Sequence, residues 1–355
     1  MKKLCGVSLV LAAGISGLAL VASASGTPAV GTKVIRPHGL IVALALDRNR
    51  VAYALGDKVF VWNLGTGKRS KVSGRQTRAD AGKVLELSIA GSQVAWYMNA
   101  FGNLESDDYL FTSSLLKPKE RLVATAVRMG DNCGAGAALP LWPPPCAGKG
   151  LGGLVASGNR IRVNRWTADA TPALTHAGLY ALNGTRLKAV AIGTGTAKAV
   201  AADSQRVVVL HPDGSLGLYS AAGESLFSVT PTARVEEVAL SGRNLVVLEP
   251  GGKLVLYDAG TGSLRKTFTL QGARNSSSAL DAQGNIVVYS SGSSIRALNL
   301  SSGKDRPVGR LPGRITLARI DSTGLVYTND FWTDSHGYAD KLVFLPFKQV
   351  AAAVS

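Results

Sequence analysis

Between Leu40 and Phe347 the chain repeats one pattern seven times: an apolar strand, a small polar turn, a second apolar strand, another turn, and a strand ending near glycine. The second strands begin at Val51, Val94, Ile161, Val207, Leu245, Ile286 and Leu325, at intervals of 43, 67, 46, 38, 41 and 39 residues. A period of roughly 40 to 50 residues is that of four-stranded propeller blades, each unable to bury its apolar faces without neighbours. The 67-residue interval marks an insertion, placed at Lys117 to Lys149.

Units five and six show the grammar best. Val238 to Leu240, Leu245 to Leu248 and Leu254 to Tyr257 are short β-branched and aromatic runs, separated by Ser241-Gly242 and Pro250-Gly251-Gly252. Such turns supply the positive φ angles of tight hairpins, and consecutive hairpins leave no room for a crossover. A helical reading fails because no apolar stripe of 3.6 spacing runs ten residues without glycine, proline or a β-branched cluster. A β-sandwich accommodates short strands but not their regular repetition. The expectation is an all-β, seven-bladed β-propeller of four-stranded antiparallel blades. The seventh unit lacks an outer strand, and Lys33-Val34-Ile35 is an unassigned candidate, so this N-terminal strand is expected to pair into the last blade and close the ring.

Residues 1 to 24 read as a secretory signal peptide, with Lys2 and Lys3, an apolar stretch from Val7 to Val21, and Ala22-Ser23-Ala24 as the cleavage site. The expected mature protein, 25–355, is a single propeller domain, secreted or held in the cell envelope or periplasm, monomeric, and without a membrane span. Its two remaining cysteines, Cys133 and Cys146, both lie in the insertion, where an oxidising compartment favours a disulfide. The whole chain carries 39 Lys and Arg against 23 Asp and Glu, a net charge of +16. In an exported protein this balance points away from nucleic acid and toward an anionic envelope polymer or a protein partner, although scattered surface cations also serve solubility alone.

If blade strands are lettered a to d outward from the axis, strand alternation puts all b-to-c turns and d-to-a connections on one face, and all a-to-b and c-to-d turns on the other. The irregular segments sort onto the first face: Asn99 to Asp107 in blade two, Thr167 to His176 in blade three, Asn329 to Asp340 in blade seven, and the insertion. Long segments on a rigid scaffold are where binding groups concentrate. Four of five tryptophans, Trp96, Trp142, Trp166 and Trp332, fall in or beside them, with Tyr97, Tyr109, Asp169, Asp330 and His336. Aromatic rings among carboxylates suit a sugar, a cationic group or a peptide strand; the same rings also serve as anchors beneath their own loops. These nine residues form the candidate ligand site.

Catalytic signatures are missing from the sequence. The four histidines, His38, His176, His211 and His336, have no metal-ligand spacing, and no nucleophile elbow or phosphate loop occurs. No metal, cofactor or catalytic residue is assigned. A lyase or hydrolase acting on a glycan or peptide stays open as the alternative to a binding protein, since carboxylates of different blades can converge across the ring.

Gly178 to Thr185, Lys253 to Gly262 and Ser294 to Lys304, each a strand followed by a small polar turn ending in Thr-Gly or Ser-Gly, resemble blades of the WD40-like and quinoprotein-like (PQQ-like) repeat superfamily. The resemblance implies the fold, and rigid interaction platforms as the common role, but names no ligand. Lys68, Arg186, Phe227 and Phe268 stand near where quinoprotein blades place a docking tryptophan, and Cys133 and Cys146 are not adjacent, so no quinone cofactor is expected.

Overall fold

The computed structural model describes residues 31–74, 82–101, 105–129, 147–168, 174–190, 198–211, 213–272, 279–330, 332–333, 337–338 and 341–355. Seven four-stranded antiparallel blades form a closed ring, a β-propeller, as the repeat predicts. Blade five shows the pattern: Glu237–Ser241, Asn244–Glu249, Lys253–Asp258 and Leu264–Thr269 pair in sequence order from the axis outward. At its first turn Gly242 has φ 55°, which a two-residue hairpin requires and a side chain resists.

Seven hydrophobic clusters divide the interior, one at each blade junction. In the second strand of blade five, Leu245 and Val247 pack toward blade four while Val246 and Leu248 pack toward blade six. Both faces of an inner strand are therefore dry. Its sequence reads as an unbroken apolar run because neither side meets water.

The same junctions carry polar fastenings, absent from the sequence reading. Asp47 accepts a hydrogen bond from the Gly91 amide (2.9 Å), Glu86 from Leu154 (2.7 Å), Asn164 from Ala199 (2.7 Å), Glu237 from Leu280 (2.8 Å), Asp281 from Ile320 (2.9 Å) and Asp321 from Arg48 (2.6 Å). At the remaining junction Arg206 donates to the Ala259 carbonyl (2.7 Å). A side chain of one blade thus satisfies a backbone group of the next at every step around the ring. Inner strands have edges that neighbouring blades do not ladder with, and a buried amide left unpaired is costly.

The closing strand is Lys33–Ile35, paired antiparallel with Leu342–Pro346 in the register Lys33 to Phe344 and Ile35 to Leu342. Lys33 also donates to the Leu64 carbonyl of blade one. A feature the sequence reading did not include follows the last strand: a helix, Phe347–Val354, buries Val350 and Val354 against blades six and seven. Eight residues are too few for a clear periodic signal, and the helix depends on that packing. Among the described residues, no helix is long and apolar enough to cross a membrane.

The insertion narrows. Arg121–Met129 is the outer strand of blade two and Ala147–Ser157 the inner strand of blade three, so the connection between them is 130–146. Cys133, Cys146 and Trp142 lie outside the described residues, as does the signal segment 1–24.

Candidate binding face

The blades differ in height. The second and third strands of blades four to six have five or six residues, whereas blade two has Gln93–Phe101 and Glu105–Ser114, and blade three has Arg160–Ala168 and Leu174–Asn183. At about 3.3 Å per residue the surplus of roughly four residues raises these hairpins about 13 Å beyond their neighbours. Much of what the sequence marks as loop, from Asn99 and from Thr167, is strand. The two tall blades are also joined: Met129 pairs with Ala147 and Arg128 with Gly148, making one eight-stranded sheet. On blade seven a small hairpin of Trp332–Thr333 with Gly337–Tyr338 departs from the same face.

Asp108 holds this wall together. Wholly buried, it accepts hydrogen bonds from the Tyr97 hydroxyl (2.6 Å), the Asn99 amide (2.6 Å) and the Leu151 backbone N–H (3.0 Å), linking blade two to the inner strand of blade three. Nearby, Glu86 receives Lys198 at 3.2 Å, tying blade two to blade four across the foot of the wall. Asp108 was not among the candidate residues. Its position opposite Asn99 in a strand pair is the signal, because a carboxylate in a β-branched and aromatic hairpin needs donors around it.

The nine candidates divide. Trp96 is fully buried and stacked on Phe111 at 5.8 Å, and Tyr97 is buried in the junction with blade three, so these two rings build the wall and present no surface. Tyr109 is half-buried, its hydroxyl donating to Asp107 at 3.0 Å. Asp330 is exposed where the second strand of blade seven ends. Trp166 lies on the tall hairpin of blade three, paired with Gly150 and Ala177, and Trp332 pairs with Tyr338. Trp142, Asp169 and His336 lie outside the described residues. Backbone placement thus brings Tyr109, Trp166, Asp330 and Trp332 to one face, on blades two, three and seven.

Toward the axis the charged groups of blades five to seven crowd one another. Burial pushes the Glu237 carboxyl up to about 8, aided by Glu236 and Asp281 and opposed by the Leu280 amide and Arg319. Asp281 and Asp321 are likewise raised by burial. These groups fasten neighbouring blades. Among the described residues, no group of three or more His, Cys, Asp and Glu side chains is placed to hold a metal ion.

No known protein-family model matches the sequence, and no curated protein matches it. Solved structures do. A chain of the mitotic checkpoint complex superposes with a TM-score of 0.55 at 14% identity, covering 96% of this chain and 99% of that one. The computationally designed Ika8 protein gives a TM-score of 0.49 at 15% identity, over 87% of this chain and 97% of that one. At 14% identity the likeness to the checkpoint-complex chain shows the fold alone, and with the sheet topology it makes this chain a seven-bladed β-propeller of four-stranded antiparallel blades, closed by its N-terminal strand.

Proposed function

We propose that this is an exported, non-catalytic binding propeller that engages a protein, a glycan or another extracytoplasmic ligand through the tall face of blades two, three and seven. One observation carries the reading: two adjacent blades rise about four residues above the ring and fuse into a single sheet, while the opposite face keeps short turns. A ring needs no such asymmetry for its own stability, since each blade is satisfied by its neighbours. A raised, rigid wall beside exposed loop positions is the arrangement that presents side chains to a partner.

The test immobilises the full chain and screens glycans and envelope proteins for retention. Trp166→Ala with Trp332→Ala abolishes capture while the circular dichroism spectrum and melting temperature stay unchanged. Arg243→Ala, on the opposite face, keeps it. Retention by the double-tryptophan variant equal to wild type removes this face as the site.

A further inference from the structure

The sevenfold repeat supplies an internal comparison at the junction of blades three and four. Near the foot of the second strand, in the third place after the turn, six blades carry Ala52, Ala95, Val208, Val246, Val288 and Val326, all wholly buried against the next blade. Blade three carries Arg162 there, opposite Val155 and only 2% exposed. Its guanidinium donates to the Ala221 carbonyl of blade four at 2.7 Å, and its Nε–H has no partner. Among the described residues, no carboxylate pairs with it or with the exposed Arg160 two residues before it.

A second departure stands beside the first. At the foot of the inner strand, blades one, four and seven place Asp47, Asp203 and Asp321, and the first two pair with Arg50 at 3.1 Å and Arg206 at 2.5 Å. Blade three places Ser157 there, opposite Arg160 and 4% exposed. Its hydroxyl has no partner, whereas Ser241 at the same place in blade five accepts the Gly284 amide at 2.8 Å, and buried hydroxyls are normally paired. Strand alternation puts Ser157, Arg160 and Arg162 on the side of Val155, which packs against blade four. One junction has therefore gained a buried cation and lost the acid that balances cations elsewhere. Burial and the Arg160 charge both hold the Arg162 guanidinium below its ordinary value. A buried charge without a counter-charge is costly, so this junction favours an anion.

We propose that the foot of the junction between blades three and four binds a small free oxyanion of the phosphate or sulfate class, held by Arg162 from within, by the Ser157 hydroxyl, and by Arg160 at the mouth. A guanidinium and a hydroxyl on adjacent strands give an oxyanion charged and neutral donors from two directions. The anion supplies the charge that Asp47 and Asp203 supply in their own blades. Entry is between the first turns of the two blades, where Gly158, Arg160, Ser204 and Gln205 are exposed and an added Cβ on Gly158 would stand 3.3 Å from the Ser204 carbonyl. So narrow an approach suits the ion rather than a bulky ester. The site lies on the face opposite the tall wall and is independent of the reading above.

Thermal unfolding and titration calorimetry of the full chain with inorganic phosphate, at an ionic strength held constant with sodium chloride, test it. Phosphate in large excess raises the wild-type melting temperature by about 3 °C; sulfate does the same and chloride does not. Arg162→Val, which restores the residue type of the other blades, melts higher than wild type in chloride and gains nothing from phosphate. Ser157→Asp keeps the guanidinium but supplies the carboxylate internally, and it too loses the phosphate response. Ser157→Ala weakens phosphate binding about tenfold. The inference is overturned if phosphate stabilises Arg162→Val or Ser157→Asp as much as wild type, or if chloride at equal ionic strength matches phosphate. Phenyl phosphate binding as tightly as the free ion equally overturns it. Trp166→Ala with Trp332→Ala keeps the phosphate response, so failure of one reading is separable from failure of the other.

Discussion

A few acids decide how well neighbouring blades hold. Replacing Asp108 with alanine strands three donors in a dry interior and is expected to cost about 3 kcal/mol, against a smaller loss for Asp108→Asn, which still accepts. Denaturant unfolding of both variants measures the difference; equal losses would mean that the hydrogen bonds contribute little. Glu237 makes the opposite prediction for pH. Its carboxyl ionises near 4.5 unfolded but is pushed up to about 8 in the fold, so the folded chain holds the extra proton. The resulting stability is complete below about 4.5 and declines as pH rises to about 8. Glu237→Gln flattens that decline in denaturation midpoints across the window, and a wild-type curve without the slope would rule the proton out. Such acids are only half legible in sequence. Asp47, Asp281 and Asp321 recur near the first turn of their units, but that they reach into the next blade is a fact of tertiary packing.

Elements sort into those that repeat and those that close. The second strands are legible to within a residue, their apolar runs opening at Val51 and Leu245 and the strands themselves at Arg50 and Asn244, because burial on both sides leaves an uninterrupted apolar run. Outer strands were harder to read, being half-exposed and short, yet they account for the charge. Arg69 and Lys71, Arg121, Arg186 and Lys188, Arg265 and Lys266, and Arg306 and Arg310 are exposed on the outer strands of five blades. Cations on an unpaired sheet edge repel strand addition by another chain, so much of the basic balance has a structural origin. The closing strand contributes pairing at only three positions, but it covers such an edge. Deleting the chain through Ile35 is expected to lower the melting temperature by about 5 °C and to cause association visible by light scattering. An unchanged monomer with unchanged melting would show that closure depends on the helix instead.

At the scale of the whole molecule the ring has no central core, only seven layers between blades, and each layer needs both of its blades. Trp96 lies in the layer between blades one and two. Its replacement by alanine is expected to cost about 3–5 kcal/mol and to leave one cooperative transition, coincident by fluorescence and far-ultraviolet circular dichroism. Two separated transitions would mean that blades unfold as independent units. The sequence placed Trp96 in a candidate site because it stands beside an irregular segment. The structure turns the ring inward, since alternation along Gln93–Phe101 directs it with Val94 and Met98 into the layer with blade one.

By itself the sequence determined the number of blades, their antiparallel strands, the closing strand and the face on which the irregular segments emerge. These follow from local periodicity and turn chemistry, and strand alternation propagates them around the ring. Only the tertiary structure decided that two blades stand tall and share one sheet, that Trp96 and Tyr97 are buried, and that a side chain of one blade satisfies a backbone group of the next at each junction. Each of these depends on residues far apart in the chain meeting across a junction, and pairing of that kind leaves no period in the sequence.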